Sequence, residues 1–253
     1  MSERPELDAR LASMEILFRS PTFTPELVAA IRRTGRHLIY TPDEACREHW
    51  ERDQNGSCWG EYTALAPLLD ALPKPRRVLE LGPGLGRSVV FFVKKCGWSE
   101  SDIHVYDGTG TPIEYGILGP RTTDSFCGDL PILNDILAYN NVRNVTVFNA
   151  SRFTLLALPG NYDFIYSFYS VGFHWALEYF IDDVNALMAP HSVAVFTVPP
   201  VFTGFPGLSE FYYRIVQWKT VWPADAWLNL LILSKVQLPV SARVLQCWGN
   251  RDG

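Results

Sequence analysis

The 253-residue chain has an ordinary globular composition, with 47% hydrophobic and 19% charged residues, so it can bury a sizeable core. Its net charge is −5 and its Lys and Arg residues never form runs longer than two, which argues against the basic surface that nucleic-acid binding requires. Five scattered cysteines without a C-x-x-C pair argue against a disulfide framework or a zinc site, and they favour a reducing compartment.

The ends of the chain and its apolar runs carry no sign of membrane contact. The opening residues, Met1–Asp8, are too polar for a secretory signal. The longest apolar run, Trp227–Leu233, is too short to cross a bilayer. The sequence therefore predicts a cytoplasmic protein without a membrane or nucleic-acid partner, and it leaves the oligomeric state open.

The first part of the chain predicts helices separated by short breaks. Thr24-Pro25 and Thr41-Pro42 each place a capping hydroxyl before a proline, a pattern typical of a helix start. The last of these helices is predicted over Trp59–Leu72, where prolines follow and stop it. Because this helix leads directly into the first strand, we expect residues 1–72 to be an N-terminal helical cap on a domain formed by residues 73–253.

The most informative stretch is Arg77–Ser88, in which a short apolar run is followed by three glycines at alternate positions. The pattern predicts a buried strand, a tight turn and a helix whose N-terminus faces the turn. Gly82, Gly84 and Gly86 let the backbone approach a ligand where a Cβ would collide. The N–H groups of the first helical turn then form a polar, weakly positive pocket.

Two classes of ligand use such a strand–turn–helix. Dinucleotide-binding folds prefer G-x-G-x-x-G, with phosphates at the helix N-terminus. Here the spacing is G-x-G-x-G, and Glu80 lies two residues before Gly82. A carboxylate at this place would repel a pyrophosphate but would suit a ligand with an ammonium and a sulfonium group. The run resembles motif I of the class I S-adenosylmethionine (SAM) methyltransferases, E/D-x-G-x-G-x-G, and it disfavours the alternative of an NAD-dependent oxidoreductase.

Strands and helices alternate from Arg77 onward, which predicts a parallel sheet. The predicted strands are Val78–Leu81, Asp102–Asp107, Asn144–Asn149, Tyr162–Phe168 and Ser192–Val198, and the helices that follow the glycine turn include Leu130–Tyr139 and Trp175–Met188. Residues 108–127 form a loop longer than an ordinary strand-to-helix connection, which indicates a functional segment.

The resemblance also implies how the sheet is completed. It implies a Rossmann-like α/β fold whose mostly parallel sheet is closed by an antiparallel hairpin. In the tail, a helix is predicted over Leu208–Gln217, and the apolar runs Leu228–Ser234 and Arg243–Trp248 are assigned to that hairpin.

Several residues are implied as SAM ligands by the resemblance. Asp107 ends the second strand, where an acid can accept both ribose hydroxyls. Asn149 and Ala150 end the third strand, where the family meets the adenine amino group, although a plain loop asparagine is nearly as good an interpretation. The remaining predicted cofactor contacts are Glu80, Gly82, Pro83, Gly84, Gly86 and Ser167, with Trp59 and Tyr62 of the cap closing over the methionine end or simply packing there.

The segment from Ser167 to Trp175 follows the fourth strand, beside which the family transfers the methyl group. Of five histidines, only His174 has such a position. Its neutral imidazole could take a proton from an acceptor hydroxyl near pH 7, or it could simply hydrogen-bond at a helix start. Asp182 and Asp183 are adjacent but lie within a predicted helix, so we predict no metal.

The sequence as a whole therefore predicts a SAM-dependent methyltransferase with a small-molecule acceptor. Oxygen is the preferred acceptor atom, on a sugar or another secondary metabolite. Aromatic residues crowd the segments after the fourth and fifth strands, which suits such an acceptor. A non-catalytic SAM-binding protein, or the partner of an active subunit, is the alternative, because motif I serves binding and not chemistry.

Overall fold

The computed structural model describes residues 65–84, 86–108, 130–168, 170–172, 175–200, 202, 204–219 and 227–237. Most of the predicted helical cap, the loop after residue 108 and the run Arg243–Trp248 lie outside these residues. The division of the chain into a cap and a methyltransferase domain therefore stays a prediction. Within the described residues, no helix is long and apolar enough to cross a membrane.

The described strands form one seven-stranded sheet with the order β3-β2-β1-β4-β5-β7-β6. The strands are β1 (Arg77–Leu81), β2 (Asp102–Asp107), β3 (Val145–Asn149), β4 (Tyr162–Ser167), β5 (Met188–Val198), β6 (Tyr212–Lys219) and β7 (Trp227–Ser234). Strands β1 to β5 pair in parallel, whereas β7 is antiparallel to both β5 and β6. The predicted parallel sheet with an antiparallel closing hairpin is confirmed.

Helices cover both faces of this sheet. The described helices are α1 (65–71), α2 (Arg87–Lys95), α3 (Leu130–Tyr139) and α4 (Ile181–Leu187). One core cluster joins α1, α2 and α3 to the face of β1 that carries Val78, and a second joins α4 to the face that carries Leu79. Because successive side chains of a strand point to opposite faces and both faces are covered, the central strands β1 and β4 are buried almost throughout.

The tail differs from its prediction. Residues Leu208–Gln217 were expected to be helical, but the structure has a short 3₁₀ turn, Pro206–Glu210, followed by β6. The reason is the composition of Tyr212–Val216, whose aromatic and β-branched residues favour a strand once β7 is available as a partner. Leu228–Ser234 is confirmed as a strand, and its hairpin partner among the described residues is β6. The run Arg243–Trp248, which was also assigned to the hairpin, lies outside the described residues.

The connection from β4 to β5 also differs. The helix predicted over Trp175–Met188 is reduced to a 3₁₀ turn, Leu177–Tyr179, and to α4. Asp182 and Asp183 lie in the first turn of α4 and not in mid-helix as expected. Their negative charges interact favourably there with the positive end of the helix dipole. Strand β5 consequently begins at Met188, earlier than predicted.

Candidate cofactor site

The glycine turn joins β1 to α2 at the carboxyl edge of the sheet. Gly82, Gly84 and Gly86 have φ angles of 70°, 56° and 71°, in the left-handed region that glycine adopts without steric cost. Gly86 is the N-cap residue of α2. The alternate glycines of the motif thus correspond to three residues with positive φ.

At two of these glycines a side chain would also meet neighbouring residues of the protein. A Cβ on Gly82 would overlap the side chain of Ser170, which follows β4. A Cβ on Gly86 would lie 2.5 Å from Cδ1 of Leu133 in α3. The glycines therefore allow the turn to approach the β4 exit and α3, in addition to any ligand.

Asp107 lies beside the glycine turn, as its predicted role in ribose binding requires. Its Oδ2 accepts a hydrogen bond from the N–H of Gly84 at 3.2 Å, and its Oδ1 accepts one from the N–H of Gly108 at 2.8 Å. Strands β1 and β2 are parallel neighbours, so their carboxyl ends bring the acid and the turn together. The carboxylate orders the turn in the structure, and its bonds to ribose hydroxyls stay a prediction.

Glu80 is the buried acid of the site, with 1% of its surface exposed. Its Oε1 accepts a hydrogen bond from the Ser88 hydroxyl, and its Oε2 accepts one from the Tyr166 hydroxyl at 2.8 Å. Burial raises the pKa of Glu80 to about 7, against the opposing effects of those two hydrogen bonds and of the Arg87 charge. A carboxylate in this state would be stabilised by a cationic group bound beside it.

Asn149 and Ala150 end β3 next to Asp107, with which Asn149 is in register. The Asn149 Oδ1 accepts the N–H of Ser151 at 2.8 Å, and the Ala150 N–H donates to the Asp107 carbonyl at 2.7 Å. A cavity of about 420 Å³ opens beside them, lined by Tyr106, residues 150–155, Tyr179, Phe180 and Asp183. The predicted adenine region is therefore next to an open space.

Ser167 is fully buried and joins the ends of two strands. Its hydroxyl donates to the Leu81 carbonyl at 2.6 Å and accepts the N–H of Val171 at 2.9 Å. The hydroxyl is thus used to fix the chain where it leaves β4. The predicted contact between Ser167 and SAM stays a prediction.

The chain turns tightly after β4. The N–H of Trp175 donates to the Ser170 carbonyl at 3.0 Å, and the N–H of Gly172 donates to the Trp175 carbonyl at 2.7 Å. Gly172 has a φ of 91°, and a Cβ there would lie 2.8 Å from the Thr197 carbonyl oxygen of β5. His174, together with Trp59 and Tyr62, lies outside the described residues, so the roles predicted for these three stay predictions.

His104 lies within β2 and contacts residues at the amino ends of β2 and β4. Its Nδ1 is 2.7 Å from the Tyr162 hydroxyl, and its Nε2 is 3.1 Å from Oδ1 of Asp102. Burial lowers the pKa of this imidazole. These contacts tie β2 to β4 away from the glycine turn.

Sequence reasoning missed two residues that hold Glu80. Ser88 could have been found, because it lies eight residues after Glu80 in the first turn of the helix that follows the glycines. Tyr166 lies 86 residues from Glu80 in the chain, and only the pairing of β1 with β4 makes it a neighbour.

Neither a protein-family model nor a curated protein matches the sequence. Solved structures with similar folds include a spermidine synthase from Thermotoga maritima, with a TM-score of 0.51 and 10% identity over 78% of this chain and 68% of that chain. Precorrin-6y C5,15-methyltransferase from Geobacter metallireducens has a TM-score of 0.49 and 15% identity over 70% of this chain and 88% of its own.

A third similar structure is 1,6-didemethyltoxoflavin N1-methyltransferase from Burkholderia thailandensis, solved with S-adenosylhomocysteine. It has a TM-score of 0.49 and 14% identity over 87% of this chain and 93% of its own. At these identities the likeness is one of fold. The mostly parallel sheet, closed by an antiparallel hairpin of β6 and β7, is the architecture that the motif I resemblance implied. The chain therefore has a Rossmann-like α/β fold, which is the fold that the resemblance to the class I SAM methyltransferases implied.

Proposed function

We propose that this chain is a SAM-dependent methyltransferase whose acceptor is an oxygen atom of a small molecule, a sugar or another secondary metabolite. The observation that carries the proposal is the convergence of Glu80, the glycine turn and Asp107 at the carboxyl ends of β1 and β2. This edge, where the strand order reverses between β1 and β4, is the place at which open α/β sheets bind their ligands.

The charges of the site support SAM over a dinucleotide. Glu80 in its ionised form would repel a pyrophosphate at the turn, whereas an acid in the place of Asp107 suits the ribose of either ligand. SAM carries an ammonium and a sulfonium group, so its net charge suits an acidic site. In the proposed complex Asp107 accepts the ribose hydroxyls and Glu80 faces the methionine ammonium.

Methyl transfer itself needs little covalent help from the protein. The acceptor oxygen attacks the methyl carbon in line with the carbon–sulfur bond, that bond breaks, and S-adenosylhomocysteine leaves with the electron pair on sulfur. The chain contributes by holding the two reactants in the right geometry. His174 is proposed to accept the proton that the acceptor hydroxyl loses.

The preference for oxygen rests on residues after β4 and β5. The segment after β4 lacks the Asn/Asp-Pro-Pro-aromatic sequence of the family members that methylate amino groups of nucleobases. Aromatic rings lie near these strand ends, with Phe202 and Phe205 centred 6.2 Å apart and Trp175 and Phe180 also 6.2 Å apart. Such rings suit the flat face of a phenol or the apolar face of a sugar.

The proposal is tested by offering tritiated SAM with a panel of sugars and phenols and identifying the product by NMR. We expect tritium to enter an O-methyl group. A product methylated on nitrogen or carbon would support methyl transfer but contradict the proposed oxygen acceptor. Cofactor binding without transfer to any compound would instead favour the non-catalytic SAM-binding alternative.

A further inference from the structure

We propose that Tyr166 is a positioning residue that holds the Glu80 carboxylate for the ammonium group of the cofactor, and that its hydroxyl favours the ionised form of Glu80 which that ammonium would meet. This inference rests on the proposed SAM site. It assigns to Tyr166 a role that neither the sequence motif nor the fold specifies.

The geometry gives each carboxylate oxygen one hydroxyl donor. Glu80 and Tyr166 are register partners in the parallel pair of β1 and β4, so both side chains lie on the same face of the sheet. The Tyr166 hydroxyl donates to Oε2 at 2.8 Å, and the Ser88 hydroxyl donates to Oε1. These two bonds fix the plane of the carboxylate within the core.

Tyr166 is held rigidly enough to act in this way. Its side chain is fully buried. Its ring meets that of Phe92 edge-on, with centroids 5.1 Å apart and planes at 75°, and the ring of Phe168 is also centred 5.1 Å away. The packed ring holds its hydroxyl within hydrogen-bond distance of Glu80.

Burial opposes the ionisation of Glu80, and nearby charges act on it in both directions. Burial raises its pKa to about 7, and the charged groups acting on it are Arg87, which favours the ionised form, and Asp107, which disfavours it. An ammonium group bound beside Glu80 would add a cation and favour ionisation. Binding would therefore favour the carboxylate paired with the ammonium, and any proton that Glu80 carried beforehand would pass to the buffer.

The Tyr166 hydroxyl favours the ionisation of Glu80 because it donates a hydrogen bond to the carboxylate. A hydrogen bond to a charged group contributes about 1.5–3 kcal/mol, which corresponds to about 1–2 pH units in the ionisation of its acceptor. Removing the Tyr166 hydroxyl should therefore make Glu80 harder to ionise, and cofactor binding at neutral pH should weaken.

The test compares Tyr166→Phe with Tyr162→Phe. Tyr162 is a fully buried tyrosine on the same strand, but its hydroxyl faces His104 and not a carboxylate, so it is a matched control. The affinity for S-adenosylhomocysteine is measured by calorimetry from pH 5.5 to 9 in two buffers of different ionisation enthalpy, which also counts the protons released. The amine of the ligand titrates equally for all variants, so the curves are compared with one another.

We expect the wild-type affinity to rise with pH through about 7 on its acidic limb, with proton release to the buffer at pH 6. In Tyr166→Phe this limb should shift upward by about 1–2 pH units, with about a tenfold weaker affinity at pH 7. Tyr162→Phe should keep the wild-type midpoint. An equal loss at every pH, or an equal shift in Tyr162→Phe, would overturn the inference.

A second measurement separates this inference from the proposed function. The carboxyl carbon of Glu80 is followed by NMR of ¹³C-labelled, unliganded protein, with Glu80→Gln identifying its signal. If the wild type binds no S-adenosylhomocysteine, the proposed function is wrong. If it binds normally but the Glu80 titration midpoint is the same in Tyr166→Phe, the function stands and the role of Tyr166 is rejected.

Discussion

His174→Ala is expected to lower turnover about 10²–10⁴-fold while leaving cofactor affinity nearly unchanged. The physical reason is that a general base acts on the acceptor proton and not on SAM. A base must be neutral to accept a proton, so wild-type activity should fall as the pH drops through the imidazole pKa, roughly 6.5 when unperturbed. The variant should lose that dependence. The measurement is the pH profile of turnover with the acceptor found by the tritium screen.

His191→Ala is the control for this experiment. His191 is exposed near the start of β5, at the amino ends of the parallel strands, whereas the glycine turn lies at their carboxyl ends. It should keep both the rate and the pH profile of the wild type. Wild-type pH dependence retained in His174→Ala would refute the base assignment and leave methyl transfer itself untouched.

Gly82→Ala is expected to destabilise the fold by about 2–5 kcal/mol and to remove cofactor binding. A left-handed conformation costs an alanine about 1–2 kcal/mol. The new Cβ would in addition overlap the side chain of Ser170, and overpacking of this kind costs about 1–3 kcal/mol. The β4 exit would have to move away from the glycine turn, which would displace the carboxyl edge that forms the site. Urea unfolding measures the first effect and calorimetry the second.

Gly97→Ala provides the matched control. Gly97 has nearly the same backbone conformation, with a φ of 67°, but a Cβ there would meet nothing within 4 Å. The loss of stability in Gly97→Ala should therefore reflect the backbone conformation alone, about 1–2 kcal/mol, and the variant should still bind the cofactor. If Gly82→Ala is no less stable than Gly97→Ala, the close approach between Gly82 and Ser170 is not a feature of the protein.

The parallel part of the fold was predictable because its signals are local. Strand β2 was predicted with its observed bounds, Asp102–Asp107, since a short apolar run ends there at an acid and a glycine. Strand β6 was not predicted, because Tyr212–Lys219 becomes a strand only through its antiparallel pairing with β7. A preference for helix or strand over eight residues is weak, and the distant partner decides it.

In the candidate site, too, the residues of a local motif were predictable, and a contact that depends on the register of paired strands was not. Glu80, the three glycines and their helix form one contiguous motif, so the sequence locates them together. Asp107 was placed beside them because parallel neighbouring strands end at one edge. Tyr166 could not be placed, because its contact with Glu80 depends on the register of β1 against β4, which no local pattern specifies. The raised pKa of Glu80 likewise follows from burial in the assembled core.

The central claim is that the edge formed by the glycine turn and Asp107 binds SAM, and calorimetry with S-adenosylhomocysteine tests it most directly. Ligand at a hundredfold excess over its Kd should stabilise the wild type by about 2.7 kcal/mol. Asp107→Ala should lose about 1–3 kcal/mol of affinity, since hydrogen bonds to the ribose go unmade. Asp102→Ala, at the other end of the same strand, should keep it. The account predicts a saturable binding signal that Asp107→Ala weakens and Asp102→Ala does not; no signal for either SAM or S-adenosylhomocysteine would contradict it.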